Sequence, residues 1–134
     1  MLIGVNKAVE LKVKVAASAS SGNAAAALAA YSARAGIECY TFVPEDASMG
    51  KIAQLLFYGA KVFRVKVVEE GADPTVQMLR MVYENYNWYP CPSFGPFNPY
   101  QAEGPKLISF ELCEQLSWEP PNWVFAQVGA GGLL

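Results

Sequence analysis

Apolar side chains recur at Leu2, Val5, Ala8, Val9 and Leu11, close to the spacing of one helical face, and predict a short opening helix. Val13 to Ser18 is a β-branched and small-residue run between lysines and the polar loop Ser20-Ser21-Gly22-Asn23, the pattern of a buried strand entering a turn. Ala24 through Arg34 is dense in the best helix former, and Gly36 stands where a left-handed C-terminal cap belongs. The cycle then repeats. Ile37 to Val43 reads as a strand, Met49 to Tyr58 as a helix after an N-cap at Ser48 and before Gly59, and Lys61 to Val68 as a third strand. Asp73-Pro74 opens a further helix to about Tyr86, with Asp as N-cap and Pro at the first helical position.

Strands alternating with helices of this length imply crossover connections and a parallel sheet covered on both faces. The fold class is α/β, an open three-layer α/β/α sandwich with a mostly parallel sheet of four or five strands. Five of the nine prolines fall between Pro90 and Pro105, which reads as an irregular connection and a boundary. Beyond it, Lys106 to Leu116 predicts an amphipathic helix stopped by Pro120-Pro121. Trp123 to Val128 predicts a last strand running into Gly129-Ala130-Gly131-Gly132.

Composition narrows the function classes. In 134 residues, 53% hydrophobic against 16% charged residues supplies a core and argues against disorder. A net charge of -2 lacks the basic excess that phosphate-backbone binding needs, so nucleic acid is not an expected partner. The absence of histidine excludes His-dependent triads and zinc sites built on His. Three widely spaced cysteines, Cys39, Cys91 and Cys113, read as unpaired thiols of a reducing compartment. No apolar run approaches the roughly 20 residues of a membrane span, and the start at Met1 has no leader pattern, so a cytoplasmic protein is expected.

Two loops are candidates for chemistry. Ser20-Ser21-Gly22-Asn23 lies where a strand ends and a helix begins, so its N–H and hydroxyl groups point out of the carboxyl edge of the sheet and suit an anion; equally, Ser21 or Asn23 could simply cap the helix. Gly129-Ala130-Gly131-Gly132 could form a concave nest of backbone amides for a phosphate, or a frayed terminus. The run Trp88-Tyr89-Pro90-Cys91-Pro92 with Phe94 and Phe97 reads as a packed connection or an interaction patch, and Glu69-Glu70 as a solvated turn.

The stretch from Ala19 to Ile37, ASSGNAAAALAAYSARAGI, resembles the segment of threonine synthase that follows its cofactor lysine. Val43-Pro44-Glu45, Gly50-Lys51-Ile52-Ala53-Gln54 and Tyr58-Gly59-Ala60-Lys61-Val62 resemble the family's next βα units. Asn98-Pro99-Tyr100-Gln101-Ala102-Glu103-Gly104-Pro105-Lys106 is similar to its N-P-x-x-x-E-G-x-K hinge run, and Val128 to Gly132 falls at its glycine loop. The resemblance implies a fold type II pyridoxal-phosphate lyase of amino-acid metabolism, which in the complete family converts O-phosphohomoserine and water to threonine and phosphate. It implies residues 1–97 as the small βα domain, and 98–134 as hinge, helix and strand of the large domain, ending in the glycine loop.

Carried residue by residue, the resemblance implies pyridoxal phosphate as cofactor, with Asn23 on its ring hydroxyl and the amides of Gly129, Ala130, Gly131 and Gly132 on its phosphate. Ser20, Ser21 and Gly22 would hold the substrate carboxylate. The family's Schiff-base lysine belongs to an S-x-K-D-R-G run upstream of the segment that Met1 to Lys7 resembles, so no catalytic residue is assigned within this sequence, and residues 1–134 alone are not expected to be catalytic. Lys7 is the nearest lysine but stands at the wrong motif position. Ala130 and Leu133 replace the family's usual asparagines, and Val67 to Phe97 matches the family least. The partners implied are a small amino-acid substrate and either a complementing chain or a second copy. The alternative is a non-catalytic α/β module that binds a small anion or homodimerises.

Overall fold

The computed structural model describes residues 1–66, 71, 73–95, 97–128, 131 and 132. Four strands form one all-parallel sheet: β1 Val15–Ala19, β2 Glu38–Pro44, β3 Lys61–Val65 and β4 Tyr89–Pro90, in the order β3-β2-β1-β4. Helices α1 Leu2–Glu10, α2 Asn23–Ala35, α3 Met49–Phe57 and α4 Pro74–Tyr86 cover it, followed by the single turn α5 Pro99–Ala102 and by α6 Leu107–Gln115. Val67, Val68 and the Glu69-Glu70 turn of the sequence reading lie outside the described residues.

Alternation along the strands builds the three layers. Ala16, Cys39 and Val43 point to the face covered by α1, α2 and α3, while Ala17, Ala19 and Phe42 point to the face covered by α4. Small residues meet small residues at the centre. Ala25, Ala26 and Ala29 of α2 bury against a strand whose own side chains are mostly alanine and serine, which lets helix and sheet backbones approach closely. On the other face Leu79 and Val82 of α4 pack on Phe42. Left-handed Gly36 at φ 69° ends α2, and Asp73 caps α4 by accepting the Thr75 N–H at 2.9 Å.

Two elements depart from the sequence reading. Tyr89-Pro90 lies in the proline-rich connection yet pairs with Ala16 and Ala17, and the Cys91 N–H then donates to the Ala17 carbonyl at 2.7 Å. An edge position tolerates the proline, whose missing N–H faces away from the ladder. Trp123 to Val128, expected as a strand, is not one: a strand needs a neighbour, and no strand among the described residues lies beside it. The helix α6 forms as expected, but it is not amphipathic against a core, since none of its residues is buried.

The aromatic run at 88–97 is a packed connection. Trp88 lies 4.3 Å from the Tyr40 ring between centroids, Pro90, Cys91 and Pro92 are buried, and Phe94 meets Phe97 edge-on. All three cysteines are free thiols, with Cys39 and Cys91 buried and Cys113 exposed. Burial pushes the Cys39 thiol up to about 11 and the Cys91 thiol up to about 12.

Truncating the fully buried Leu28 to alanine is expected to cost about 2–5 kcal/mol in urea unfolding, since its cavity cannot collapse between α2 and the sheet. Stability should also fall on the alkaline side. Each buried thiol holds its proton above the ordinary value of 9.0, so its contribution is complete below that value and declines as pH rises towards 11–12. Unfolding free energies from urea titrations between pH 8 and 10.5 should decline by up to ~1.4 kcal/mol per pH unit per thiol, and Cys91→Ala should flatten that decline.

Candidate functional site

The strand order reverses at β1. The chain runs outward through β2 to β3, returns by α4, and lays β4 on the other side of β1. In an open parallel sheet the crevice outside the carboxyl ends of the strands at such a reversal is where ligands bind. The loop leaving β1 is Ser20-Ser21-Gly22, running into Asn23 at the start of α2, and the segment leaving β4 begins at Cys91.

The two readings of the first loop now separate. The N-cap of α2 is Gly22, and neither Ser21 nor Asn23 nor any other side chain caps the helix. The Ser20 hydroxyl instead accepts the Gly22 N–H at 3.2 Å, which tightens the turn. The first-turn N–H groups of Asn23, Ala24 and Ala25 therefore keep their donor capacity for a ligand, at the positive end of a 13-residue helix. Asn23 is exposed, and Ser20, Ser21 and Gly22 are half-buried, so the loop is open on its outer side and supported on its inner side.

Beneath it lies polar chemistry that pattern reading did not flag. Ser18 and Thr41 are register partners on β1 and β2, fully buried, and their hydroxyls have no hydrogen-bond partner. Both sit on the face covered by α2, near the carboxyl ends of runs that read only as apolar.

The segment after β4 is held by Asn98. Its amide donates to the Pro90 carbonyl at 2.8 Å and its side-chain oxygen accepts the Gln101 N–H at 3.3 Å, tying the last strand to α5. Gln101 in turn lies against Gly4 of α1, where a side-chain carbon would collide with the Gln101 side-chain oxygen. Gly132 lies against Ser93: a side-chain carbon on Gly132 would collide with the Ser93 carbonyl, so only glycine allows that approach. Gly131 is left-handed at φ 77°, the conformation an amide nest requires. Gly129 and Ala130, the other two cofactor candidates, lie outside the described residues, as does Leu133.

The structure thus brings Gly131 and Gly132 to the segment that follows β4 and Ser20 to Asn23 to the end of its neighbour β1. A cavity of about 1220 Å³ contains Gly131, Gly132, Ser93 and Asn98 together with α6 and residues 118–126, but none of Ser20, Ser21, Gly22 or Asn23 lines it. Lys7 belongs to neither group. Its ammonium bonds Glu10 at 2.6 Å and lies 4.8 Å over the Tyr100 ring, and the Glu10 hydrogen bond raises its pKa.

A strand–loop–helix turn with free first-turn N–H groups, at the reversal of an open parallel sheet, can receive an anion. The sequence profile of the pyridoxal-phosphate dependent enzymes matches residues 2–134, and the chain belongs to that family. It is 43% identical to the threonine synthase of Methanocaldococcus jannaschii over 133 residues, 98% of this chain and 31% of that protein. It is 38% identical to that of Methanosarcina acetivorans, with the same coverage of each. The chain thus spans about a third of the length of the curated relatives it matches. Among solved structures, a threonine deaminase from T.th. superposes with a TM-score of 0.70 at 25% identity over 99% of this chain and 42% of that one. Escherichia coli diaminopropionate ammonia lyase, at 12% identity and TM-score 0.76 over 98% and 42%, shares the fold. Family membership implies pyridoxal phosphate as cofactor. The uncapped N–H groups of α2 and the left-handed Gly131 fit such a group, whose charge is anionic.

Gly132→Ala should push residue 132 off Ser93; hydrogen exchange at Ser93 and Gly95 is expected to quicken about tenfold, with the sheet amides unchanged.

Proposed function

We propose that residues 1–134 form the substrate- and cofactor-gripping third of a threonine-synthase-like enzyme that converts O-phosphohomoserine and water to threonine and phosphate. The observation that carries this reading is the uncapped α2 N-terminus beside exposed Asn23 at the strand reversal, in a chain 43% identical to a threonine synthase. In it, residues 1–97 are the small domain, and 98–134 are the hinge and the start of the large one.

Ser20, Ser21 and Gly22 bind the substrate carboxylate through hydroxyl and N–H donors, and the α2 dipole adds attraction for the negative charge. Asn23 hydrogen-bonds the ring hydroxyl of the cofactor and so fixes the ring's orientation against the substrate. Gly129, Ala130, Gly131 and Gly132 hold its phosphate by backbone amides. Bound pyridoxal phosphate supplies an electron sink for carbanion chemistry at the substrate's α-carbon. The amine that anchors the cofactor and moves the α-proton comes from polypeptide outside residues 1–134, because no lysine here stands at the corresponding motif position and Lys7 is engaged with Glu10. The reading takes the enzyme as cytoplasmic and acting on a free amino acid; among the described residues no helix is long and apolar enough to cross a membrane.

An absorbance titration of the chain with pyridoxal phosphate, followed by borohydride reduction and intact mass, tests this. A saturable spectral change without a reduced adduct on any single lysine is expected, and Asn23→Ala should weaken binding about tenfold, the worth of one hydrogen bond to a polar ring substituent. An adduct on one mapped lysine would show that the amine is internal after all. If inorganic phosphate competes as well as the cofactor does, the chain is instead a small-anion-binding module, and if nothing saturates, a non-catalytic homodimerising one.

A further inference from the structure

A hydroxyl taken out of water has to find a new partner, or the folded state loses the bond it had to solvent. Two buried side chains of this chain follow that rule. The Thr75 hydroxyl donates to the Asp73 carboxylate at 2.6 Å, and the Asn98 amide donates to the Pro90 carbonyl at 2.8 Å. Ser18 and Thr41 differ: each is 0% exposed, and neither hydroxyl has a partner among the described residues.

The two are neighbours. Ser18 on β1 faces Thr41 on β2 in the parallel register, and both lie on the face covered by α2. Paired strands run about 4.8 Å apart, so the two short side chains stand side by side. Their oxygens nevertheless do not bond each other. Ala16 and Val43 of the sheet and Ala25 and Ala29 of α2, on the same face, have no polar side-chain atom to offer.

We infer that one internal water molecule sits between the sheet and α2 and bridges the Ser18 and Thr41 hydroxyls. Hydroxyl-to-water bonds of about 2.8 Å on each side span a gap too wide for a direct bond. The donor set selects water over an ion. Two neutral hydroxyls bring no charge, and no group of three Cys, Asp or Glu side chains able to hold a metal occurs among the described residues. Water carries two donors and two acceptors, so a single molecule satisfies both hydroxyls at once. The bridge ties β1 to β2 just before the turn from Ser20 to Asn23 and gives that turn a polar floor. It does not rest on the reading under Proposed function, because it involves no cofactor.

The test uses the full 134-residue chain without pyridoxal phosphate. Magnetic relaxation dispersion of solvent oxygen, which registers long-lived internal waters, should find one more such water in the wild type than in Thr41→Val. That variant keeps the shape of the side chain and removes the hydroxyl. It should also lower the folding equilibrium constant about tenfold in urea titrations, because Ser18 then loses its bridge. Thr41→Ser, which keeps the hydroxyl, should retain the water. Adding Ser18→Ala to Thr41→Val should cost less than the two changes made separately, since the first has already released the water. The comparison of wild type with Thr41→Val decides the matter even where Ser18→Ala fails to fold. Equal numbers of long-lived waters in those two proteins overturn the inference. So does a Thr41→Val protein at least as stable as the wild type, which is the mark of a hydroxyl that had no partner to lose.

Discussion

The contact between α2 and β1 is the constraint on which the rest of this structure depends. β1 has a strand on each edge and helices on both faces, and its side chains after Val15 are alanine and serine alone. Such a strand contributes little apolar area of its own, so its burial depends on close approach by Ala25, Ala26 and Ala29. The same closeness fixes where the turn between β1 and α2 sits. It leaves room for the short connection from Ser20 to Gly22, and the helix starts without a side-chain cap.

That missing cap gives the sheet edge its chemistry. A helix N-terminus carries donors that must find acceptors, and most surface helices satisfy them with Ser, Thr, Asp or Asn side chains. Here α4 and α5 do so through Asp73 and Asn98, while α1, α3 and α6 do not, nor does α2 with two serines and an asparagine within reach. Placed at the strand reversal, the unspent donors lie at the edge of the sheet where open parallel sheets hold ligands. Asn98 brings a second segment to the same edge by fastening Pro90 to α5, and Gly132 lies against Ser93 of that segment. Family membership implies pyridoxal phosphate as cofactor, and free N–H donors at a helix start suit the anionic charge such a group carries.

The two ends of the molecule are finished to different degrees. Residues up to Gln101 pack into a core on both faces of the sheet, with α1 seated on α5 through Gly4 and Gln101. From Leu107 onward every described residue but Ala126 is exposed, although Leu, Ile, Phe and Trp are frequent there. Burial follows from available neighbours and not from hydrophobicity alone, which is why apolar side chains give a core in one half and an open face in the other.

The α/β class, the helices at α2, α3 and α4, and their boundaries at Gly36, Ser48 and Asp73-Pro74 were legible in the sequence, because periodicity and capping act over a few residues. The loop at Ser20 to Asn23 was legible as the turn from a strand into a helix for the same reason, since a strand end followed at once by a helix start is a local pattern. The cofactor and the reaction came from resemblance and not from any local pattern. Three things were decided only by tertiary structure. Tyr89-Pro90 is a strand because β1 offers a free edge, which outweighs the prolines at 90 and 92. Trp123 to Val128 is not a strand, because pairing needs a neighbour that the described residues do not supply. The choice between a capped and an uncapped α2 turned on where the Ser20 hydroxyl points, and that depends on the packing of α2 against β1. Sequence patterns specify what each segment can form; which edge is free, which neighbour is present and which donors stay unspent are properties of the assembled layers.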